Sequence, residues 1–372
     1  MIDSLYRWRD RLIARPGFQR WSAAFWPTRG VAARQSRALF DLCAGFVYSQ
    51  VLAAVVELEL LPMLKAGPQS AEALAPRLTL SVEATERLLK AATALKLCAA
   101  RGKTRDGAQR YGLGMLGAAL LGNPGVVAMI RHHKLLYADL ADPVGLLRGT
   151  RDETALSRFW PYAKGGDLDT VADYSALMSA SQSLLVEDVL EAYPFAQHQR
   201  MLDIGGGDGT FISHVARRFP KLAFTLFDLP AVAARAEARF AENGLATRAK
   251  AMGGDAYRGP LPQGFDLVTL IRVLHDHDDD GVRAILKQVR AALAPGGTLL
   301  IAEPMAGAKG AEPVGDAYFG FYLLAMGSGR ARTPGELTGF LEEAGFTSIT
   351  PLKTRRPLMT SAMMARVRIE KL

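Results

Sequence analysis

A chain of 372 residues, 49% hydrophobic and 22% charged, is longer than one ordinary core supports and reads as a globular protein of two domains. No uninterrupted run of roughly eighteen apolar residues occurs, which speaks against a bilayer span, and Arg7, Arg9 and Arg11 are followed by no apolar leader segment. Two cysteines, Cys43 and Cys98, exclude a disulfide framework and point to a reducing cytoplasm, while the net charge of +8 raises nucleic acid as a partner.

The charge is unevenly placed. Residues 1–37 hold eight arginines against Asp3 and Asp10, so most of the excess sits on one terminal arm, residues 1–35. Trp8, Phe18, Trp21, Phe25 and Trp26 are interleaved with those arginines. Such a segment suits an anionic membrane surface, where aromatic rings sit at headgroup depth, and it equally suits packing on a partner subunit. From Ser36 to about Gly122 the pattern is helical. The apolar stretch Phe46 to Leu61 is too continuous for a solvent-facing helix, which predicts a homodimer built largely by residues 1–120. Ser70 and Ser81 stand in capping positions before two further helices, and a polar turn, Arg101 to Gln109, leads to a strand-like piece at Arg110–Leu113. Helix, turn, helix and wing outline a winged helix over residues 36–165, with its helical linker. A DNA reader would load the third helix with base-reading side chains, but Ala84 to Leu97 offers only Arg87, Lys90 and Lys96. No nucleic acid is expected as a partner.

The remainder, residues 166–372, alternates strand and helix after a helix over Thr170 to Tyr193. Strands are predicted at Met201–Ile204, Ala223–Phe227, Arg248–Met252, Leu267–Ile271 and Thr298–Ala302, with helices at Thr210–Phe219, Ala231–Asn243, Asp279–Ala292 and Pro334–Ala344. That order implies an α/β fold with a doubly wound parallel sheet of Rossmann-like type. Ser361 to Val367 is expected to add antiparallel edge structure. The first strand runs into Asp203-Ile204-Gly205-Gly206-Gly207-Asp208-Gly209. Gly205 and Gly207 let the chain turn sharply and a ligand approach the backbone, although the spacing is not that of a dinucleotide loop. Asp228, at the tip of the second strand, is placed for two ribose hydroxyls or for a helix cap, and Asp255, after the third, for an adenine amino group. The fourth strand stops at His275-Asp276-His277-Asp278. His275 at a strand end suits general-base work, and Glu303, ending the fifth strand, is expected to orient the His275 ring. A divalent metal at this His-Asp cluster is disfavoured, because neighbours on an extended chain point opposite ways. The other four histidines read as surface or packing residues.

These motifs in this order, Asp203-Ile204-Gly205-Gly206-Gly207, Phe227-Asp228-Leu229-Pro230, Gly254-Asp255, Arg272-x-Leu274-His275-Asp276 and Gly296-Gly297, resemble the class I small-molecule O-methyltransferases with an N-terminal winged-helix dimerisation domain. The resemblance implies that Gly205, Asp228 and Asp255 hold S-adenosylmethionine (SAM), that Arg272 lines it, and that His275 is the base. Tyr174-Ser175-Ala176-Leu177-Met178-Ser179 looks like the family's helix before the first strand, which implies contact between Met178 and cofactor or acceptor. Two departures stand out: His277 replaces a tryptophan after the His-Asp pair, and Ala331 replaces a glutamate near the base, leaving ring orientation to Glu303 alone. Residues 38–50 and Trp160-Pro161-Tyr162-Ala163 are similar to the carotenoid methyltransferases of purple bacteria, implying the tertiary 1-hydroxyl of an acyclic carotenoid as acceptor. Competing readings are a phenol, polyketide or tetrapyrrole acceptor, and a catalytically silent SAM-binding regulator.

Overall fold

The computed structural model describes residues 2–150, 153–159, 185–309, 311–356 and 360–368, grouped into two compact units, Met1–Gly122 and Asn123–Leu372. The first unit begins with α1 (Ile2–Ile13), α2 (Pro16–Ala24) and α3 (Trp26–Glu57). Pro27 in the first turn starts α3 without loss, since that N–H has no helical partner, and Glu59 in the left-handed region ends the run. Then follow α4 (Leu60–Lys65), β1 (Gln69–Ser70), α5 (Ala71–Leu78), α6 (Val82–Ala94), β2 (Cys98–Lys103), β3 (Gln109–Leu113) and α7 (Met115–Leu121). Ser70 and Ser81 cap α5 and α6 by accepting from the amides of Ala73 and Ala84. The three strands form one antiparallel sheet in the order β1-β3-β2, so the unit is a winged helix with its wing built from β2 and β3. Its polar stretch at 101–103, read as turn, extends β2.

One expectation needs correction. α3 is long and apolar enough to cross a membrane by length and composition, with an 18-residue window of mean hydropathy 1.8. Counting only uninterrupted apolar runs missed it, because Asp41, Ser49 and Gln50 break the apolar residues between Arg37 and Glu57 although Asp41 is the one charge among them. Only Ala53, Val55 and Val56 of α3 are buried; Leu39, Leu42 and Phe46 are at least 71% exposed.

The second unit opens with α8 (Pro124–Asp139), α9 (Pro143–Leu147), α10 (Ala155–Phe159) and α11 (185–192). β4 (Arg200–Ile204), α12 (Thr210–Arg218), β5 (Ala223–Asp228), α13 (Pro230–Glu242), β6 (Ala249–Gly253), β7 (Phe265–Ile271), α14 (Asp279–Ala292) and β8 (Leu293–Glu303) give the strand and helix alternation. A π-helical turn, Pro313–Phe319, runs into α15 (Gly320–Met326), followed by α16 (Pro334–Glu343), β9 (Phe346–Leu352) and β10 (Ser361–Val367). The sheet order is β6-β5-β4-β7-β8-β10-β9, with β10 antiparallel to both neighbours. β10 therefore lies inside the sheet and β9 forms the edge, a strand the sequence hides because Thr347, Ser348, Pro351 and exposed positions break its apolar pattern.

Both sheet faces are covered. Leu202, Ile204, Leu299 and Ile301 point into one core with α14 and α16, while Met201, Leu300 and Ala302 point into another with α11, α12 and α13. A strand buried on both faces reads as continuous apolar sequence, which is why β4, β7 and β8 were legible. The chain winds outward from β4 through β5 to β6, then restarts at β7 on the other side. The carboxyl ends of β4 and β7 flank that switch point, where open α/β sheets bind ligands.

Candidate active site

The loop after β4 makes the first wall. Gly205 has φ +65°, and a Cβ there would fall 2.8 Å from a methyl of Val273, so only glycine fits. Gly207 has φ +61°, and a Cβ added to it would meet nothing within 4 Å: its outer side is open. Asp228, at the end of β5, is buried and accepts from the amides of Gly207 at 2.8 Å and of Leu229 at 2.7 Å. One carboxylate thus tethers the glycine loop and the amide of Leu229, the residue ahead of α13, whose first turn takes no side-chain cap. Burial pushes its carboxyl up to about 6 against those two amides. Beneath the loop, Asp203 is fully buried; Oδ1 accepts from Thr269 Oγ1 at 2.6 Å, and burial pushes this acid up to about 7. Asp255 follows β6, partly exposed, and accepts from the amide of Tyr257 at 2.8 Å.

Beyond β7 the chain strains. Arg272 sits at φ +58°, a region non-glycine residues rarely occupy, with its amide bonded to Ala302 O at 2.8 Å. His275 then falls on a 3-10 turn, Leu274–Asp276, and is 2% exposed. That turn changes the geometry expected of an extended chain. His275 Nε2 lies 3.1 Å from Asp276 Oδ1, which brings the adjacent acid within ion-pair reach of the ring. Glu303 does not orient the ring as expected: its Oε2 accepts from the main-chain N–H of His275 at 3.1 Å, because the end of β8 runs beside the turn itself. A second acid, Asp276, therefore lies beside the base, while Ala331 packs against the apolar cluster around Phe319 and Tyr322. His275 Nδ1 is buried with no hydrogen-bond partner among the described residues. Burial, aided by the Arg272 charge, holds the imidazole well below its usual pKa, so the ring is neutral. Burial raises Asp276 to about 8 and Glu303 to about 7.

Three features were missed in the sequence. Arg332 is completely buried and clamps the turn, donating to Leu274 O at 2.8 Å, His277 O at 2.7 Å and Asp279 Oδ1 at 2.7 Å. Gly329, on the same strap, approaches so closely that a Cβ would lie 2.2 Å from His275 O. The Gly-Arg-Ala-Arg-Thr segment was noticed only for its absent glutamate, and no local signal in it marks the long-range hold of Arg332. Third, His132 and His133 on α8 bond the hydroxyls of Tyr322 at 2.9 Å and Tyr318 at 2.8 Å. Phe319, between those tyrosines, lies 5.7 Å from the His275 ring. Burial lowers His132 to about 4, and Tyr318 rises to about 12, so both contacts are uncharged. Met178 lies outside the described residues, as do residues 160–163.

Residues 137–347 match the O-methyltransferase domain family, and residues 40–123 match the O-methyltransferase dimerisation domain. The chain is 43% identical over 341 residues to demethylspheroidene O-methyltransferase of Cereibacter sphaeroides, covering 91% of this chain and 88% of that one. To acetylserotonin O-methyltransferase of Mus musculus it is 32% identical over 364 residues, covering 91% and 90%. Among solved structures, human N-acetylserotonin methyltransferase in complex with SAM superposes with a TM-score of 0.76 at 26% identity, covering 90% of this chain and 98% of that one.

Proposed function

This chain belongs to the O-methyltransferase family, and from that premise we propose that it transfers a methyl group from SAM to the tertiary 1-hydroxyl of an acyclic carotenoid of the hydroxyneurosporene or demethylspheroidene type. The observation carrying the acceptor class is the 43% identity to a demethylspheroidene enzyme along nearly the whole chain, against 32% to an acetylserotonin enzyme. The residues suit the donor. Gly207 offers an open backbone edge, Asp203 Oδ2 beneath the loop is buried without a hydrogen-bond partner among the described residues, and Asp228 and Asp255 end successive strands beside it. Gly205, Gly207 and Asp228 would hold the ribose side, Asp255 the adenine, and Arg272 the wall between donor and base.

When bound, SAM supplies an electrophilic methyl carbon on a cationic sulfur. The chain must then align the acceptor oxygen and remove one proton. With its proton on Nε2, which faces Asp276 Oδ1 at 3.1 Å, His275 keeps a lone pair on buried Nδ1, and this nitrogen would take the hydroxyl proton as the new oxygen–carbon bond forms. A tertiary alcohol is too weak an acid to ionise beforehand, so proton removal accompanies attack. The Asp276 carboxylate stabilises the imidazolium; Glu303, bound to the main chain, keeps the turn in place. Beside the ring, Tyr318 and Tyr322 have hydroxyls already engaged by histidines, which leaves an apolar aromatic wall suited to a hydrocarbon chain. Incubation with methyl-labelled SAM and separate pools of hydroxylated acyclic carotenoids, phenols and tetrapyrroles should yield a labelled carotenoid ether. Label appearing only in a phenol or a tetrapyrrole overturns the acceptor assignment.

The dimerisation domain makes the protein a homodimer. The arm ahead of it is proposed as a peripheral contact with an anionic membrane, the phase in which such an acceptor resides. Ile2, Leu5, Trp8, Trp21 and Trp26 are all at least half exposed, among arginines. The full chain should co-sediment with vesicles containing anionic lipid and lose most of that binding when residues 1–24 are deleted. Equal binding by the two forms sinks the membrane role.

A further inference from the structure

The site has a side that the reading above leaves unexplained. Asp255 is bound through the amide of Tyr257. The Tyr257 ring stands edge-on to His277, with centroids 4.9 Å apart at 89°, and its hydroxyl meets His277 Nδ1. His277 O is held by Arg332, whose other nitrogen holds Leu274 O, the carbonyl preceding His275. A continuous path of bonds therefore runs from the strand-end acid of the nucleoside edge to the turn that carries the base. Gly281, near the start of α14, leaves just enough room for this arrangement, since a Cβ there would fall 2.7 Å from a Tyr257 ring carbon. We infer that Tyr257 and His277 are positioning residues that tie the nucleoside edge of the site to the catalytic turn, so that one contact serves both donor affinity and turnover.

The chemistry of the contact is consistent at neutral pH. Burial lowers His277 to about 4, so Nδ1 keeps its lone pair, and burial raises Tyr257 to about 12, so its hydroxyl keeps the proton it donates. Tyr257 is 40% exposed, which separates this role from core packing, because trimming its hydroxyl removes little buried surface. A tryptophan at position 277 would have no ring nitrogen to accept from a hydroxyl. The tie is accordingly a property of this chain's Tyr257 and His277 together.

The inference rests on reading Asp255 as the adenine acceptor, and the experiment separates the two. S-adenosylhomocysteine binding is measured by calorimetry, turnover with methyl-labelled donor at saturation, and Tm by thermal scan. Tyr257→Phe should raise the Kd of S-adenosylhomocysteine about tenfold, the effect of one lost hydrogen bond, lower kcat severalfold and leave Tm in place. Gly281→Ala displaces the same ring and should reproduce both changes, with the double variant no worse than either single one, since a shared contact can be lost only once. His277→Asn places an amide oxygen near the site of Nδ1 and should keep near-normal affinity and kcat. Wild-type affinity in Tyr257→Phe, an unchanged kcat at saturation, or additive losses in the double variant would each overturn the tie while leaving the methyltransferase reading intact. A wild-type chain that fails to bind S-adenosylhomocysteine overturns both.

Discussion

His275 shows how much a single turn decides. On an extended chain its ring and the Asp276 carboxylate would diverge; the 3-10 turn brings Nε2 and Oδ1 to 3.1 Å. His275→Ala should lower kcat by about a hundredfold while S-adenosylhomocysteine affinity stays near wild type, because the ring meets the acceptor and not the nucleoside. Asp276 adds a pH signature. Its acid is raised to about 8 by burial, so the carboxylate that stabilises the imidazolium is complete only above that pH. Turnover should rise with pH through about 8, and Asp276→Asn should lower the plateau and abolish that rise. Glu303→Gln should cost less, since an amide oxygen can still accept the His275 N–H. A pH profile for Asp276→Asn that superposes on wild type removes Asp276 from the mechanism.

Strands and helices carried their identities openly where one physical cause dominated. β4, β7 and β8 are buried on both faces and read as apolar runs, and Ser70 and Ser81 announce α5 and α6 because a hydroxyl at the cap satisfies an otherwise free amide. The strand-end placement of Gly205, Asp228, Asp255, His275 and Glu303 followed from the alternation alone. What stayed hidden depends on contacts between segments distant in sequence. Nothing local in Gly329–Thr333 says that Arg332 reaches back to the carbonyls at 274 and 277. Likewise, His132 and His133 acquire meaning only once α8 lies against Tyr318 and Tyr322. Which atom of a partner an acid grips is equally long-range: Glu303 was found, but its hold on main chain rather than ring depends on how closely β8 passes the turn.

Across the whole molecule, the site concentrates acids whose protons burial retains to higher pH than in the unfolded chain. Burial raises Asp203 to about 7, Asp228 to about 6, Asp276 to about 8 and Glu303 to about 7. In the unfolded chain such groups lose their protons near pH 4. Between that value and the folded pKa the native state binds more protons than the unfolded one, so stability falls as pH rises. The contribution is complete below about pH 4 and is lost through pH 6–8. Replacing Asp203 by Asn removes one such group while an amide oxygen can still accept from Thr269. Asp203→Asn should therefore stabilise the donor-free protein on the order of 2 kcal/mol at pH 8 and show no such gain at pH 4, read from denaturant midpoints. A gain of the same size at both pH values excludes proton linkage as its source. The position of β10 has a different consequence, one in time. Ser361 pairs with Glu303, yet β10 leaves the ribosome long after β8. Until it arrives, β8 is an open edge with unpaired amides and carbonyls, the kind of surface that recruits strands from other chains. The nascent protein therefore passes through a stage in which the strand ending in Glu303 offers an unpaired edge, and synthesis of the segment through Val367 closes that window.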